Sequence, residues 1–150
     1  GPVVALHSGS LALTTAPGDA VLRDLLMRAS DTITISYDPN CRPMLMGNPV
    51  EVLRGVHEML GAADVVKVSS EDLRWLRPDM TPEQVVDDWL SRGPTIVAVT
   101  LGSDGVVAGT STGLRARRPG VAGAFPASPS RRKRTRLVRR QNSGSRLLEP

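Results

Sequence analysis

The sequence predicts an α/β fold built on a mostly parallel sheet, and three observations carry that reading. Short apolar, β-branched runs alternate with segments whose apolar residues recur at helical spacing, the pattern of successive β-α units. The runs Val3-Val4-Ala5-Leu6, Asp64-Val65-Val66-Lys67-Val68 and Thr95-Ile96-Val97-Ala98-Val99 are almost continuously apolar, as strands covered on both faces are. Helix starts are spelled out between the runs, at Asn48-Pro49-Val50-Glu51 and at Thr81-Pro82-Glu83-Gln84.

Taken in order, residues 3–7 read as the first strand. Residues 20–29 form a helix with Val21, Leu22, Leu25, Leu26 and Ala29 on one buried face. Residues 32–37 alternate and are β-branched, giving a second strand. Asn48 caps a helix with Pro49 at its first position, and Val52, Val56, Met59 and Leu60 line its buried face until Gly61. Residues 64–68 are the third strand. Ser69-Ser70-Glu71-Asp72 opens a short helix that Pro78 stops, and Thr81 with Gln84 forms a capping box for a helix burying Val85, Val86, Trp89 and Leu90. Residues 95–100 are the fourth strand. Gly102-Ser103-Asp104-Gly105 turns it into a hairpin with residues 106–110.

A chain of 150 residues with 40% hydrophobic content is long enough for one domain with a real core. Aromatics are only 3%, so Val, Leu, Ile, Ala and Met must fill it. The single cysteine, Cys41, allows neither an intrachain disulfide nor a thiolate zinc site, which fits a reducing cytoplasm. No apolar run approaches the ~20 residues of a membrane span. The chain opens at Gly1 and enters a strand at once, the pattern expected of a piece of a longer protein.

Charge divides the chain in two. Residues 1–114 carry eight Arg/Lys against fourteen Asp/Glu, a balance of −6, and residues 115–150 carry eleven against one, a balance of +10. After Arg118 the composition turns to Gly, Pro, Ser and Ala, then to Arg131-Arg132-Lys133-Arg134-Thr135-Arg136 and Arg139-Arg140. No period organises its sparse apolar residues, so residues 119–150 are expected to be a disordered basic tail.

Three stretches at strand ends carry the chemistry. In Asp38-Pro39-Asn40-Cys41-Arg42-Pro43, the prolines hold the loop extended, and Asp38, Asn40 and Arg42 can converge on a polyanion, which Arg clamps bidentately. The local alternative is a βα loop with Asx turns and a solvated Arg42. In Lys67-Val68-Ser69-Ser70-Glu71-Asp72, a lysine inside an apolar strand must reach the rim or a partner. There the simple reading of Ser69 and Asp72 is reciprocal capping, with Glu71 pointing elsewhere on the helix. In Thr100-Leu101-Gly102-Ser103-Asp104-Gly105, a glycine-rich turn can offer N–H groups to phosphate, helped by the Thr100 hydroxyl. It can equally be a hairpin turn whose glycines permit positive φ. No GxxxxGK[ST] is present, so a Walker-type site is excluded. His7 and His57 lack metal-type partners.

Together these stretches resemble the middle of a ribokinase-type (PfkB family) sugar kinase, nearest the fructokinase branch. The resemblance covers residues 3–118 and implies a three-layer α/β/α fold, incomplete here, with ATP and Mg2+ as cofactors and a sugar hydroxyl as acceptor. It implies that Thr100, Gly102 and Gly105 meet the nucleotide phosphates, with Lys67 and Ser69 beside them. Asp38, Asn40 and Arg42 would line the cleft near the transferred phosphate, and Asp72 would arrange magnesium through water. Ser69 stands where the family motif has Asn, and Asp72, one methylene shorter, where it has Glu. His7-Ser8-Gly9-Ser10 resembles a further cleft-facing segment.

The family's catalytic base comes from a Gly-Ala-Gly-Asp motif, and Gly120-Val121-Ala122-Gly123-Ala124 only echoes it, without the aspartate. No catalytic residue is therefore assigned. A frameshift near residue 119 is the hypothesis this suggests; flanking DNA without Gly-Ala-Gly-Asp codons in any frame would sink it. Three functions compete: a sugar kinase by descent, a catalytically inactive fragment of one, and a non-specific nucleic-acid binder through the Arg-rich tail. No groove-reading element or aromatic stacking set accompanies that tail, so no specific nucleic-acid partner is expected. Missing neighbour strands would leave sheet edges open to self-association.

Overall fold

A computed structural model describes residues 1–120. Its six-stranded sheet runs in sequence order: β1 (Ala5–Gly9), β2 (Thr34–Asp38), β3 (Val65–Ser69), β4 (Ile96–Thr100), β5 (Val106–Thr110) and β6 (Arg115–Arg118). The first four strands are parallel, and β5 and β6 return antiparallel. The helices are α1 (Gly18–Ala29), α2 (Pro43–Met46), α3 (Pro49–Leu60), α4 (Ser70–Leu76) and α5 (Pro82–Leu90). The expected tail beyond residue 120 lies outside the described residues.

Right-handed crossovers that always step the same way put their helices on one face, and burial follows that rule. Ile35, Tyr37, Val66, Val68, Val97, Val99 and Val107 occupy one set of alternate positions and are buried. They form one core with Leu26 of α1, Val52, Val56, Met59 and Leu60 of α3, Leu73 and Leu76 of α4, and Val85, Val86 and Trp89 of α5. On the opposite set, Ser36, Val65, Lys67, Ile96, Ala98 and Ala108 are half-buried or exposed. Of the three layers the resemblance implies, the described residues build two.

Local signals set the helices. Asn48 Oδ1 accepts the Val50 N–H at 2.9 Å ahead of Pro49. Thr81 and Gln84 exchange both capping bonds, at 3.2 and 2.8 Å. The buried faces of α3 and α5 are the ones the spacing predicts. The face predicted for α1 needs correcting. Leu26 is buried and Leu22 and Ala29 pack against the core, but Val21 and Leu25 are 71% and 47% exposed. Periodicity marks apolar positions, not which of them meets a neighbour, and α1 lies at the β1 border, where only one flank is covered.

Ladders also begin later than the apolar runs suggest. The first strand starts at Ala5 because pairing starts at Ala5↔Thr34, and Val3 and Val4 stay exposed. Among the described residues no helix is long and apolar enough to cross a membrane.

Candidate functional site

The carboxyl ends of β2, β3 and β4 bring the three motifs side by side. Ligands in open α/β sheets bind beyond those ends.

At the end of β2, Asp38 Oδ1 accepts the Asn40 N–H at 3.1 Å, an Asx turn that helps hold Asn40 at φ 40°. Asn tolerates that left-handed conformation better than most residues. Arg42 is exposed, but its side chain folds back rather than outward. Its Nη1 donates to Asn40 Oδ1 at 2.8 Å, to the Cys41 carbonyl at 2.9 Å and to the Asn40 carbonyl at 3.2 Å, so the guanidinium is pinned over its own loop. Pro43 then starts α2, a one-turn helix the sequence reading missed although proline at a first helical position is its signal.

On β3, Lys67 sits on the open face and reaches Asp38 Oδ2 at 3.1 Å, satisfying its charge with a partner at the rim. Ser69 caps α4: its Oγ accepts the Asp72 N–H at 3.0 Å and donates to Asp72 Oδ2 at 2.8 Å. The capping reading of this pair is therefore realised in the geometry. The buried Asp72 carboxylate does more. Its Oδ1 accepts the Cys41 N–H at 2.9 Å, stitching the β2 loop to α4 across 31 positions of sequence. Burial, with the nearby Asp72 and Asp38 charges, pushes the Cys41 thiol up to about 12, so it stays protonated and unreactive.

On β4, Thr100 is the register partner of Ser69, which makes the second and third motifs immediate neighbours. The turn that follows closes with the Leu101 N–H donating to the Gly105 carbonyl at 2.8 Å. Gly102 and Gly105 have φ of 62° and 99°, both left-handed and suited to glycine. A side chain at Gly105 would also strike the Arg118 carbonyl at the end of β6.

Asn40, Arg42, Lys67, Ser69 and Asp72 line one cleft of about 410 Å³. Asp38 joins it through Lys67, while Thr100, Gly102 and Gly105 stand on the next strand and turn rather than in its wall. Cys41, Pro43, Glu71 and Trp75 complete the lining. Glu71 corrects an expectation, since it faces the cleft rather than away from it. Its spacing four residues before Trp75 on α4 is the signal that would have found both. His7, at β1, bonds Ser36 Oγ through Nδ1 at 2.7 Å, and Gly9 abuts the Asp38 carbonyl. No group of three or more His, Cys, Asp or Glu among the described residues is arranged to hold a metal ion on protein donors alone.

No family model matches the chain. It is 32% identical over 101 residues to a fructokinase of Rhizobium leguminosarum bv. trifolii, covering 67% of this chain and 31% of that one. A PfkB protein from Polaromonas sp. JS666 has the same architecture at a TM-score of 0.67 and 29% identity, over 81% of this chain and 40% of that one. A fructokinase from Vibrio cholerae O395, solved in its fructose-, ADP- and calcium-bound form, aligns at a TM-score of 0.64 and 29% identity, over 77% of this chain and 38% of that one. The chain therefore spans less than half the length of each. Motifs that resemble a family, strand ends that bring those motifs together, and relatives alike in sequence and in fold converge: the chain belongs to the ribokinase-like PfkB family of carbohydrate kinases.

Proposed function

We propose that this chain carries the nucleotide-phosphate portion of an ATP-dependent sugar kinase, working in the cytoplasm. The observation that carries the reading is the meeting of two cations, Arg42 and Lys67, in one cleft beside the Ser69–Thr100 pair and the glycine turn. In this reading Thr100, Gly102 and Gly105 meet the nucleotide phosphates, with Lys67 and Ser69 beside them. Asp38, Asn40 and Arg42 line the path of the transferred phosphate. Bound ATP supplies the phosphoryl group, and a sugar hydroxyl is the acceptor, a reading supported by the fructose- and ADP-bound form of the Vibrio cholerae fructokinase.

The residues present suit those groups. A polyanion is answered by Arg42 and Lys67. Magnesium is commonly held by one or two carboxylates with substrate phosphates and several waters, and Glu71 and Asp72 are the two carboxylates on the cleft. Asp72 already accepts bonds from Cys41, Ser69 Oγ and the Ser69 N–H, which supports a role through water rather than direct ligation. Residues 1–150 contain no Gly-Ala-Gly-Asp segment, so the reading assigns this chain binding and positioning, with no proton-abstracting base. The kinase-like unit is residues 1–118, and the basic residues 119–150 take no part in it.

Calorimetry of Mg-ATP on the full chain tests this, with Trp75 emission as a second readout because Trp89 is fully buried. Saturable binding is expected, absent in Gly102→Val, weakened about tenfold or more in Lys67→Met, and silent by fluorescence in Trp75→Phe. No binding would overturn the reading and leave an inactive relic of the family. Retention on nucleic acid that falls steeply with salt and ignores Gly102→Val would favour the tail as the functional part.

A further inference from the structure

Behind the β2 loop, on the covered face of the sheet, lies a second cavity of about 170 Å³. The loop is the wall between it and the cleft. Pro39 and Met46 line the cavity, whereas Asn40, Cys41, Arg42 and Pro43 line the cleft. α1 and α3 form the sides, and Arg23 holds them together. Its Nη1 donates to Glu58 Oε2 of α3 at 2.9 Å, and its Nη2 donates to the Leu13 carbonyl ahead of α1 at 2.6 Å. Gly55 makes room for that guanidinium, since a Cβ there would lie 3.2 Å from both Nη atoms.

Three side chains that line this cavity have no polar partner among the described residues. Tyr37 is only 4% exposed, yet its hydroxyl makes no hydrogen bond there. Buried polar groups are bonded as a rule, and each exception calls for an explanation. Burial raises the pKa of this hydroxyl well above its ordinary value, so it remains an O–H donor, and the Arg23 charge acts on it across the cavity. Asp19 and Glu51 are the other two. Neither carboxylate pairs with a cation, and both also line the open groove that continues outward between α1 and α3. Donors therefore stand at the inner end and acceptors at the mouth.

We propose that this cavity binds a small aliphatic amino acid. The ligand's carboxylate takes the Tyr37 O–H and the Arg23 N–H groups that Glu58 and Leu13 leave over. Its ammonium meets Asp19 and Glu51, and its side chain lies against Leu13, Met46, Val52 and Val56. Simpler occupants fit less well. A plain anion would enter past two carboxylates of its own sign. A plain amine would leave the Tyr37 hydroxyl buried and unbonded. Size agrees, because a cavity of about 150 Å³ admits benzene. An occupant would also touch Pro39 and Met46, and the Arg42 N–H meets Met46 Sδ at 3.2 Å, so it bears on the β2 loop from behind.

Titration of the full chain with L-leucine and with L-valine, without nucleotide and followed by amide NMR shifts, tests the proposal. Saturable shifts are expected at Tyr37, Val52 and Gly55. Affinity should weaken about tenfold in Tyr37→Phe and in Glu51→Gln, and hold in Asp24→Asn, which removes a charge from α1 outside the cavity. Glu51 is exposed, so Glu51→Gln keeps the fold and the test stands even where Tyr37→Phe does not fold. Isovalerate, without the ammonium, and isopentylamine, without the carboxylate, should each bind at least about tenfold more weakly than L-leucine. No saturation by about 10 mM, isovalerate or isopentylamine binding as well as L-leucine, or binding that ignores both Tyr37→Phe and Glu51→Gln would each overturn it. With no nucleotide present, none of these outcomes bears on Mg-ATP binding in the cleft.

Discussion

The two faces of the sheet are made from the same strands and differ in almost everything else. On one, valines and isoleucine interlock with four helices and bury Trp89 completely. On the other, alternate positions carry Ser36, Lys67, Ala98 and Ala108, none of them buried. The covered face holds the fold together, and the open face brings Lys67 to Asp38 and the cleft. Adjacent residues in one strand can thus belong to different kinds of chemistry, and the contrast is open to measurement.

The largest effect is expected at Trp89→Ala on the covered face. Removing a fully buried indole should cost about 3–5 kcal/mol in denaturant unfolding followed by circular dichroism. A loss under about 1 kcal/mol would break the comparison, because the helix layer would not then be what stabilises the sheet.

Next come neighbours on opposite faces of β5. A Cβ on Gly109 would lie 2.7 Å from Val86 Cγ1 and 2.9 Å from Arg115 Cδ. Gly109→Val should therefore cost about 1–3 kcal/mol by overpacking, while Ala108→Val on the open face stays within about 0.5 kcal/mol. Equal effects would mean that both faces are packed alike.

Asp72→Asn sharpens the border between fold and site. It weakens the cap and the Cys41 tether together, for an expected loss of about 1–2 kcal/mol. Cys41 should then react faster with a thiol reagent than in the parent chain. An unchanged rate would separate the loop from the helix.

The smallest effect concerns His57 on α3. Burial, reinforced by Arg92, lowers its pKa from 6.5. The unfolded chain therefore takes up a proton that the folded one resists. Stability is unaffected at high pH and declines as pH falls below about 6.5. His57→Phe should flatten that slope in unfolding midpoints measured between pH 7.5 and 5, as about 6.5 is where the free imidazole titrates.

Much of the fold was legible in the sequence because its signals are local. Asn48-Pro49 and Thr81-Gln84 announce their helices, and α3 and α5 bury the predicted residues because each lies between neighbours. Elements at the margins were harder. β6 carries three arginines, so no alternation of apolar and polar residues marks it, and only its pairing with β5 makes it a strand. Val21 and Leu25 have the spacing of core residues but no core beside them. For the site, the motif residues could be named from their strand ends, but not the cleft they share. The Asp72–Cys41 bond crosses 31 residues, and Trp75 enters the lining only once α4 is docked beside the β2 loop.

The strand order has a consequence for how this chain comes into being. Because each described strand pairs with those next to it in sequence, each of these ladders can close as soon as its second strand leaves the ribosome, and among the described residues none waits for a distant partner. Contacts of short sequence separation favour fast folding, and segments emerging from the N-terminal side fold first during synthesis. The described ladders are thus suited to assembly in the order in which they are translated, each later helix sealing the pair before it.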